Sequence, residues 1–181
     1  MPLLMLKDLP RYECLLKAAE RYPTFDPSSH EAFLHLLRAA DMVFEEVNRF
    51  LAHHDISQGR FTVMTLLHRP WVESCTPASL AEESGVTRAT MTGLIDTLEK
   101  DGMVVREADP RDRRTVHVKL TERGNEKVEA MRPGYFESVT RIAAPLNARE
   151  RKEFVRLLQK IQEGLTPVDF KTSKKNAEVK N

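Results

Sequence analysis

The sequence predicts a mainly α-helical protein with one small β-hairpin, an α+β fold class. Between residues 76 and 124, two short helical segments joined by a tight turn are followed by two short runs of β-forming residues. On both sides of this stretch, apolar residues recur at helical spacing over long segments. These observations predict a head that contains the hairpin, flanked by N- and C-terminal helices.

The first short helix of the head begins at Thr76-Pro77. The threonine hydroxyl can accept a hydrogen bond from a backbone N–H of the first turn, and the proline stands where no N–H is needed. Gly85 ends this helix as a left-handed C-terminal residue does, and Val86-Thr87 begins the next one. A joint of about three or four residues between two helices is typical of a helix-turn-helix.

The second short helix has one apolar stripe and one small, polar face. The stripe recurs at i, i+3, i+4 and i+7 and therefore points at a core; its members are Met91, Leu94, Ile95 and Leu98. Small residues let the opposite face approach a partner closely, and arginine and threonine can contact base edges or phosphates in a major groove. We expect DNA contacts at Thr87, Arg88, Ala89, Thr90, Thr92 and Gly93.

Some residues of this face also have a purely structural interpretation. The threonines can serve as helix caps and surface residues, and Thr87 can cap the helix while it lies near DNA. Glycine inside a helix costs about 1 kcal/mol relative to alanine. Gly93 therefore indicates either a close approach of the backbone to a partner or sequence drift.

The hairpin is predicted from two β-rich runs, 103–107 and 115–120, of which the second alternates apolar and polar residues. Its tip, 108–114, carries three arginines, which are Arg111, Arg113 and Arg114. Arginine suits phosphates and a narrow minor groove, so we expect these three side chains to contact DNA. The alternative is a solvated turn in which Asp109 and Asp112 neutralise part of the charge.

These motifs, in this order, resemble the MarR family of transcriptional regulators. They are the run 87–102, then Asp109-Pro-Arg-Asp-Arg-Arg114, then Leu120-Thr-Glu-Arg-Gly124, within a resemblance that covers about residues 28–164. It implies a homodimeric winged helix-turn-helix protein, usually a repressor whose DNA affinity falls when a small molecule binds or a cysteine is oxidised. It also implies that one wing arginine pairs with Asp112 to stiffen the loop while another enters the minor groove. The family often has arginine or asparagine where this chain has Gly93, which implies one base contact fewer.

The composition limits the classes of protein that fit. The chain has 181 residues, 41% hydrophobic and 30% charged, with a formal net charge of +1, so its attraction to phosphate must come from locally placed charge such as the wing arginines. We find no paired acid and base, nucleophile motif or phosphate-binding loop, and the six histidines show no metal-ligand spacing. We therefore expect a protein that is not an enzyme and has no cofactor and no metal.

The cysteines and the N-terminus predict a cytoplasmic protein without a membrane partner. Cys14 and Cys75 are too far apart in the sequence to indicate a disulfide framework. The apolar run 1–6 is very short, lacks a basic start and is soon interrupted by charge, so it predicts neither a signal peptide nor a membrane span.

Five segments are predicted along the chain. They are an arm with a short helix at 1–27, a long dimerisation helix at 28–56, the winged head at 57–124, C-terminal dimerisation helices at 125–166 and a basic polar tail at 167–181. A capping box at Ser28–Glu31 is predicted to start the long helix, and a second one at Asn147–Glu150 the last helix. Pro133-Gly134 is predicted to interrupt the helix that Thr121 caps and to bend that helix near Arg132.

The N- and C-terminal helices carry apolar seams that one subunit cannot cover, so the predicted partner is a second copy of the chain. The seams consist of Phe33, Leu36 and Leu37 on the long helix and of Phe154, Leu157, Leu158 and Ile161 on the last helix. A two-fold symmetric dimer is expected to bind a roughly palindromic duplex operator with half-sites about one helical turn apart.

A small-molecule effector is predicted to bind where the dimerisation helices meet the head. An apolar wall with a few polar anchors suits an aromatic acid or a phenol; the candidate residues are Met42, Phe61, Met64, His68, Arg69 and Trp71. The alternative is that these are ordinary core and rim residues. Two other functions stay open: a redox-sensing regulator that acts through Cys14, and a winged-helix protein-interaction module without DNA binding, which the near-neutral net charge favours.

Overall fold

The computed structural model describes residues 2–72, 74–112 and 114–165, and the chain divides into two compact units, 1–138 and 139–181. The predicted fold class is confirmed, because the described residues form seven helices and one antiparallel hairpin. In chain order they are α1 (Tyr12–Arg21), α2 (Pro27–His53), α3 (Gln58–Leu67), α4 (Pro77–Ser84), α5 (Arg88–Lys100), β1 (Val104–Ala108), β2 (Val116–Leu120), α6 (Glu122–Ala143) and α7 (Ala148–Gly164).

The core of the first unit lies mainly in the winged head, which comprises α3, α4, α5, the hairpin and the first turns of α6, and the end of α2 adds Leu51 to it. The predicted stripe of α5 faces this core, with Met91 and Ile95 fully buried. The hairpin covers one side, since Val104 of β1 and Val118 of β2 are also buried. The largest fully buried side chains are Leu51, Met64, Leu80, Met91, Ile95, Leu98 and Met131. The apolar face of α5 is thus buried inside the head, and its other face remains exposed and available to a partner.

The hairpin is fixed to both of its neighbours in the sequence. β1 and β2 pair in register from Val104↔Leu120 to Ala108↔Val116, and Cys75 forms an isolated bridge with Val118. At the exit, the Thr121 hydroxyl accepts from the Gly124 N–H at 3.0 Å. A methyl group on Gly124 would overlap the Met103 carbonyl oxygen. The glycine of the exit motif is therefore required for the close approach of α6 to the start of β1.

Two predictions about the long helices are wrong. The long helix starts at Pro27 with Asp26 as its cap, where the Asp26 carboxylate accepts from the Ser29 N–H at 2.8 Å, so the predicted box at Ser28–Glu31 does not start it. Asp26 rather than Ser28 caps the helix because Asp26 stands directly before a proline that is already suited to the first helical position. α6 continues through Pro133 without interruption, because a missing N–H removes one hydrogen bond while the flanking turns keep theirs.

The N-terminal arm is tied to α2 by side chains of that helix. The backbone N–H groups of Leu3 and Leu4 donate to the two carboxylate oxygens of Asp41 at 2.7 and 2.9 Å. Arg38, one turn earlier, donates to the carbonyl oxygens of Leu6 and Lys7. α1 packs against α2 through the buried Leu15.

The described part of the second unit consists of the end of α6 and all of α7. The predicted capping box is present: the Asn147 side chain accepts from the Arg149 and Glu150 N–H groups at 2.9 and 3.0 Å, and the Glu150 carboxylate accepts from the Asn147 N–H at 2.7 Å. α7 has no buried residue. The predicted tail, 167–181, lies outside the described residues. In the part of the chain that the structure covers, no helix is both long and apolar enough to cross a membrane.

Candidate nucleic-acid interface

The two helices of the predicted helix-turn-helix are joined by local interactions of the kinds expected from the sequence. The Thr76 hydroxyl caps α4 and the Thr87 hydroxyl caps α5, each accepting from a backbone N–H at 3.1 Å. Gly85 is left-handed, with φ at 64°, and the Val86 N–H returns to the Ala81 carbonyl at 3.1 Å. This Schellman-type ending fixes the angle between α4 and α5.

The outward face of α5 is exposed along its first two turns. The predicted contact residues Thr87, Arg88, Ala89, Thr90, Thr92 and Gly93 are all exposed. The Thr92 hydroxyl donates to the Arg88 carbonyl at 2.9 Å, so its oxygen is left as an acceptor. A methyl group on Gly93 would meet nothing within 4 Å. No contact within the described chain therefore requires a glycine at that position, and apart from Arg88 the predicted contact residues of this face have small side chains.

The wing tip is shaped by two aspartates that bind backbone N–H groups. Asp109 accepts from the N–H groups of Arg111 and Asp112 at 2.7 and 3.1 Å. Asp112 accepts from the Arg114 N–H and the Thr115 hydroxyl, each at 3.0 Å. Among the described residues, Asp112 thus stiffens the tip through these two groups rather than through a guanidinium. Arg111 and Arg114 are exposed, and Arg113 lies outside the described residues.

Helix α5 and the wing face one another across a groove of about 420 Å³, which we call the wing groove. It brings together Arg88 from α5 and Arg114 from the wing. It is lined by Thr76, Pro77, Ala78, Arg88, Thr92, Arg114, Thr115 and Val116. Neither guanidinium has a hydrogen-bond or ion-pair partner among the residues that the structure describes. Two uncompensated cations on one groove, beside a smooth helix face, suit a polyanion.

A second link between wing and helix was not predicted from the sequence. Arg106 of β1 forms ion pairs with Asp96, at 2.5 Å, and with Glu99, both on α5. The sequence contains one hint of this link: Asp96 is an acidic residue on a helix face that is otherwise free of acidic residues, and such a residue needs a basic partner if the face is to approach DNA. Since Asp96 is neutralised by Arg106, it contributes little repulsion toward a phosphate backbone.

The predicted effector residues are only partly brought together. Phe61, His68, Arg69 and Trp71 line a cavity of about 430 Å³, which we call the head cavity, with Thr65, Pro70, Arg132, Tyr135 and Phe136. Met42 is not at this cavity and is 63% exposed on α2. Met64 is fully buried in the core and does not line this cavity. The sequence predicted that the helix after Thr121 takes part in this site, but it did not identify Arg132, Tyr135 and Phe136, because they are far from α3 in the sequence.

His68, Arg69 and Arg132 of the head cavity already have partners, and the acidic ones are Glu129 and Glu83. His68 contacts Glu129 at 3.0 Å through one ring nitrogen and Arg132 at 3.2 Å through the other. Arg69 forms an ion pair with Glu83 at 2.5 Å. An incoming anion would therefore compete with carboxylates that already hold both arginines. The single tryptophan of the chain, Trp71, is 76% exposed at the cavity rim.

The capped turn, the exposed helix face and the adjoining hairpin define a winged helix-turn-helix protein. A model of the MarR family matches residues 56–116. Over 161 residues the chain is 32% identical to the HTH-type transcriptional repressor YetL of Bacillus subtilis, which covers 89% of this chain and 96% of YetL. The chain belongs to the MarR family of transcriptional regulators, as the sequence resemblance predicted, and it is a DNA-binding protein of the repressor type.

Solved structures of similar fold include regulators that bind DNA. BpsR of Bordetella bronchiseptica, whose DNA binding is regulated by 6-hydroxynicotinic acid, is 28% identical with a TM-score of 0.62, over 71% of this chain and 91% of that one. MepR of S. aureus, solved as a DNA complex, is 21% identical with a TM-score of 0.66, over 74% and 97% of the two chains. The second likeness concerns the fold alone.

Proposed function

We propose that this protein is a homodimeric repressor that binds a roughly palindromic duplex operator and leaves it when a small aromatic effector binds. The observation that carries the proposal is the wing groove, where Arg88 of α5 and Arg114 of the wing flank one concave surface without partners among the described residues. In this arrangement α5 enters the major groove and the wing follows the adjacent backbone into the minor groove.

The proposed roles of the two arginines differ. Arg88 stands in the first turn of α5, beside the smooth face, where a guanidinium can reach the acceptor edge of a guanine. Arg111 and Arg114 are on a turn whose backbone is held by Asp109 and Asp112, so their guanidinium groups act on phosphates and on groove charge. Base contacts give sequence preference, whereas phosphate contacts give affinity on every duplex.

The proposed dimer follows from exposed apolar residues on α2 and α7. Phe33 is 54% exposed, Phe154 49% and Ile161 45%. Leu36, Leu37 and Leu158 are partly buried, and Leu157 is exposed. Apolar stripes of this extent on helices are typical of surfaces that another protein covers. A second copy supplies the same surface and also gives the two-fold symmetry that a palindromic operator requires.

The proposed effector site is the head cavity, because its volume is in the range of small-molecule sites and its walls include the aromatic rings of Phe61, Tyr135 and Phe136. A ligand that enters must replace the pairs that Glu129 forms with His68 and Arg132. A phenol or an aromatic acid can take over those donors. Ligand entry is measurable as a change in the fluorescence of Trp71, the only tryptophan.

DNA binding is tested by selection from random duplexes, followed by titrations at several salt concentrations. We expect salt-sensitive binding and a selected site with two half-sites about one helical turn apart. Arg114→Ala should weaken binding to all duplexes and reduce the slope of log K against log salt by about 0.9 for each phosphate that is no longer neutralised. Arg88→Ala should cost about 1–3 kcal/mol on the selected site if it reads a guanine, and much less on unrelated DNA.

Lys100→Ala is the matched control, since Lys100 is an exposed cation on the same helix. It lies about 18 Å from Arg88 at about 1.5 Å per residue, and its removal should change neither measurement. Equal losses of affinity for Arg88→Ala on selected and random duplexes, together with a loss for Arg114→Ala on the selected site alone, would reverse the assigned roles. Absence of salt-sensitive binding by the unaltered protein would favour a protein-interaction module instead.

A further inference from the structure

His117 of β2 lies between the wing tip and the segment that precedes α4. Its Nε2 is 2.9 Å from Oδ2 of Asp109, at the start of the tip. Its Nδ1 is 3.2 Å from Oγ of Ser74, which precedes Cys75 and the cap of α4. Both ring nitrogens are therefore engaged, each by a different segment of the chain.

Asp109 connects this ring to the backbone that presents the wing arginines. Its Oδ2 contacts His117, while its Oδ1 accepts from the N–H groups of Arg111 and Asp112 at 2.7 and 3.1 Å. Movement of the Asp109 carboxylate would thus move the tip. The pKa of Asp109 is held below its usual value, first by the hydrogen bond from His117 and then by the two backbone N–H groups.

The other side of the ring is anchored to the core of the head. Ser74 is followed by Cys75, whose N–H donates to the Val118 carbonyl at 3.2 Å and whose carbonyl accepts from the Val118 N–H at 2.7 Å. Cys75 and Val118 are both buried. The histidine therefore joins a peripheral element, the tip of a two-stranded hairpin, to a segment that is held by the core.

We propose that His117 is a positioning residue that sets the wing for DNA and that its protonation tightens DNA binding. This proposal rests on the DNA-binding function proposed above. Neutral His117 can donate from Nε2 to Asp109 and accept at Nδ1 from Ser74. Protonated His117 keeps the first bond, now charge-assisted, and donates to the Ser74 oxygen through the second nitrogen.

Acidic side chains face His117 from the wing tip and from β1. Asp109 is in direct contact, and Glu107 stands opposite on β1, where it forms an ion pair with Lys119 at 2.7 Å. Phosphates beside the wing would add negative charge near the ring once DNA is bound, so we expect DNA binding and proton uptake to be coupled.

The test measures the Kd for a selected duplex at constant ionic strength from about pH 8 to about pH 6. For the unaltered protein we expect affinity to increase by on the order of fivefold as the pH falls. His117→Gln keeps an N–H donor toward Asp109 but cannot titrate, so it should bind like the unaltered protein at high pH and lose most of the increase. His117→Ala should bind more weakly throughout.

Glu107→Gln is the control for a general charge effect, because it removes a charge beside the ring and leaves both ring contacts in place. It should reduce the pH dependence less than His117→Gln does. An unchanged pH dependence in His117→Gln would overturn the proposal, as would equal losses in DNA affinity for His117→Gln and His117→Ala at high pH.

A measurement without DNA separates this inference from the function on which it rests. The pKa of the Asp109 carboxyl, followed by NMR in the free protein, should rise toward its ordinary value in His117→Ala, because the largest cause of its lowering is removed. If that rise occurs but no variant binds DNA, the proposed function fails while the contact stands. If the pKa of Asp109 does not change, the contact between His117 and Asp109 is refuted.

Discussion

The winged head buries its large apolar side chains, whereas helix α7 leaves most of its apolar side chains exposed. In the head, Met64, Met91 and Ile95 are fully buried, and the exposed face of α5 is small and polar. In α7 no residue is buried, although Phe154 and Ile161 are as apolar as any residue of the core. The apolar residues of the head are therefore packed in a core, to which α2 also contributes Leu51, whereas α7 has an amphipathic pattern without a described surface that covers it.

The difference indicates two kinds of partner for the two regions. A small, polar face with uncompensated arginines has little to gain from an apolar partner and suits a hydrated polyanion. An apolar stripe on a capped helix is stabilised only when another apolar surface covers it. We therefore expect the head to contact DNA and the apolar stripe of α7 to contact another protein surface.

The largest expected effect comes from a matched pair of isoleucines. Ile95→Ala removes a fully buried side chain and should lower the free energy of unfolding by about 2–5 kcal/mol. Ile161→Ala removes a side chain that is 45% exposed, and should cost a single protomer less than about 1 kcal/mol. Chemical denaturation at dilute and concentrated protein, with sedimentation to measure self-association, distinguishes the two.

The two isoleucine variants should also differ in their dependence on concentration. Removal of an interface side chain weakens self-association, so the deficit of Ile161→Ala should appear where the unaltered protein is dimeric and shrink where it is monomeric. Ile95→Ala should be destabilised at every concentration. If Ile161→Ala were as destabilised as Ile95→Ala in the monomer, the contrast between head and α7 would be wrong.

A pair of glycines in the head gives the next largest effect. Gly124→Ala places a methyl group against the Met103 carbonyl oxygen and should destabilise the protein by about 3 kcal/mol. Gly93→Ala meets nothing within 4 Å, and should stabilise α5 by up to about 1 kcal/mol. Thermal unfolding of both variants measures these changes.

The second measurement on Gly93→Ala is its DNA affinity. If α5 presses into a major groove at this point, the added methyl group should weaken binding although the protein is more stable. Unchanged affinity would mean that the glycine reflects drift and that the backbone does not approach DNA closely there. A stable Gly124→Ala would show that the exit of the hairpin is less tightly packed than the structure indicates.

Sequence reasoning predicted the local features well because cap and donor are close in the chain. Thr76, Thr87 and Asn147 each bind an N–H two or three residues away, so residue type and spacing are sufficient. The predicted start of α2 was wrong because two overlapping segments can both cap a helix. Only the one at Asp26 precedes a proline in the first helical position.

Features that depend on distant residues could not be predicted. Ser74 and His117 are 43 positions apart, and nothing in either neighbourhood indicates that they meet. The head cavity shows the same limit, since the apolar periodicity of α3 identified Phe61 and His68 but could not place Tyr135 of α6 beside them. Met42 was assigned to that cavity by its position on α2, whereas the structure leaves it exposed elsewhere.

The smallest expected effect concerns the two cysteines, one in the head and one in the N-terminal arm. Cys75 is buried in the head, and burial, followed by the nearby Glu83 charge, raises the pKa of its thiol. The thiolate is the reactive form, so Cys75 should react with a thiol reagent slowly at neutral pH and faster only as the pH rises. Cys14 is exposed on α1 and should react first. Labelling rates of Cys14→Ser and Cys75→Ser across pH measure the two sites separately.

Exposure of Cys14 does not by itself make it a regulatory switch. Cys14 stands on α1, which packs against α2, whereas the wing groove is formed by α4, α5 and the wing. We therefore expect peroxide to leave the Kd for DNA unchanged and Cys14→Ser to bind like the unaltered protein. Weaker DNA binding on oxidation that Cys14→Ser abolishes would instead establish the redox-sensing function. It would also show that a change on α1 reaches the head, whose core includes Leu51 of α2.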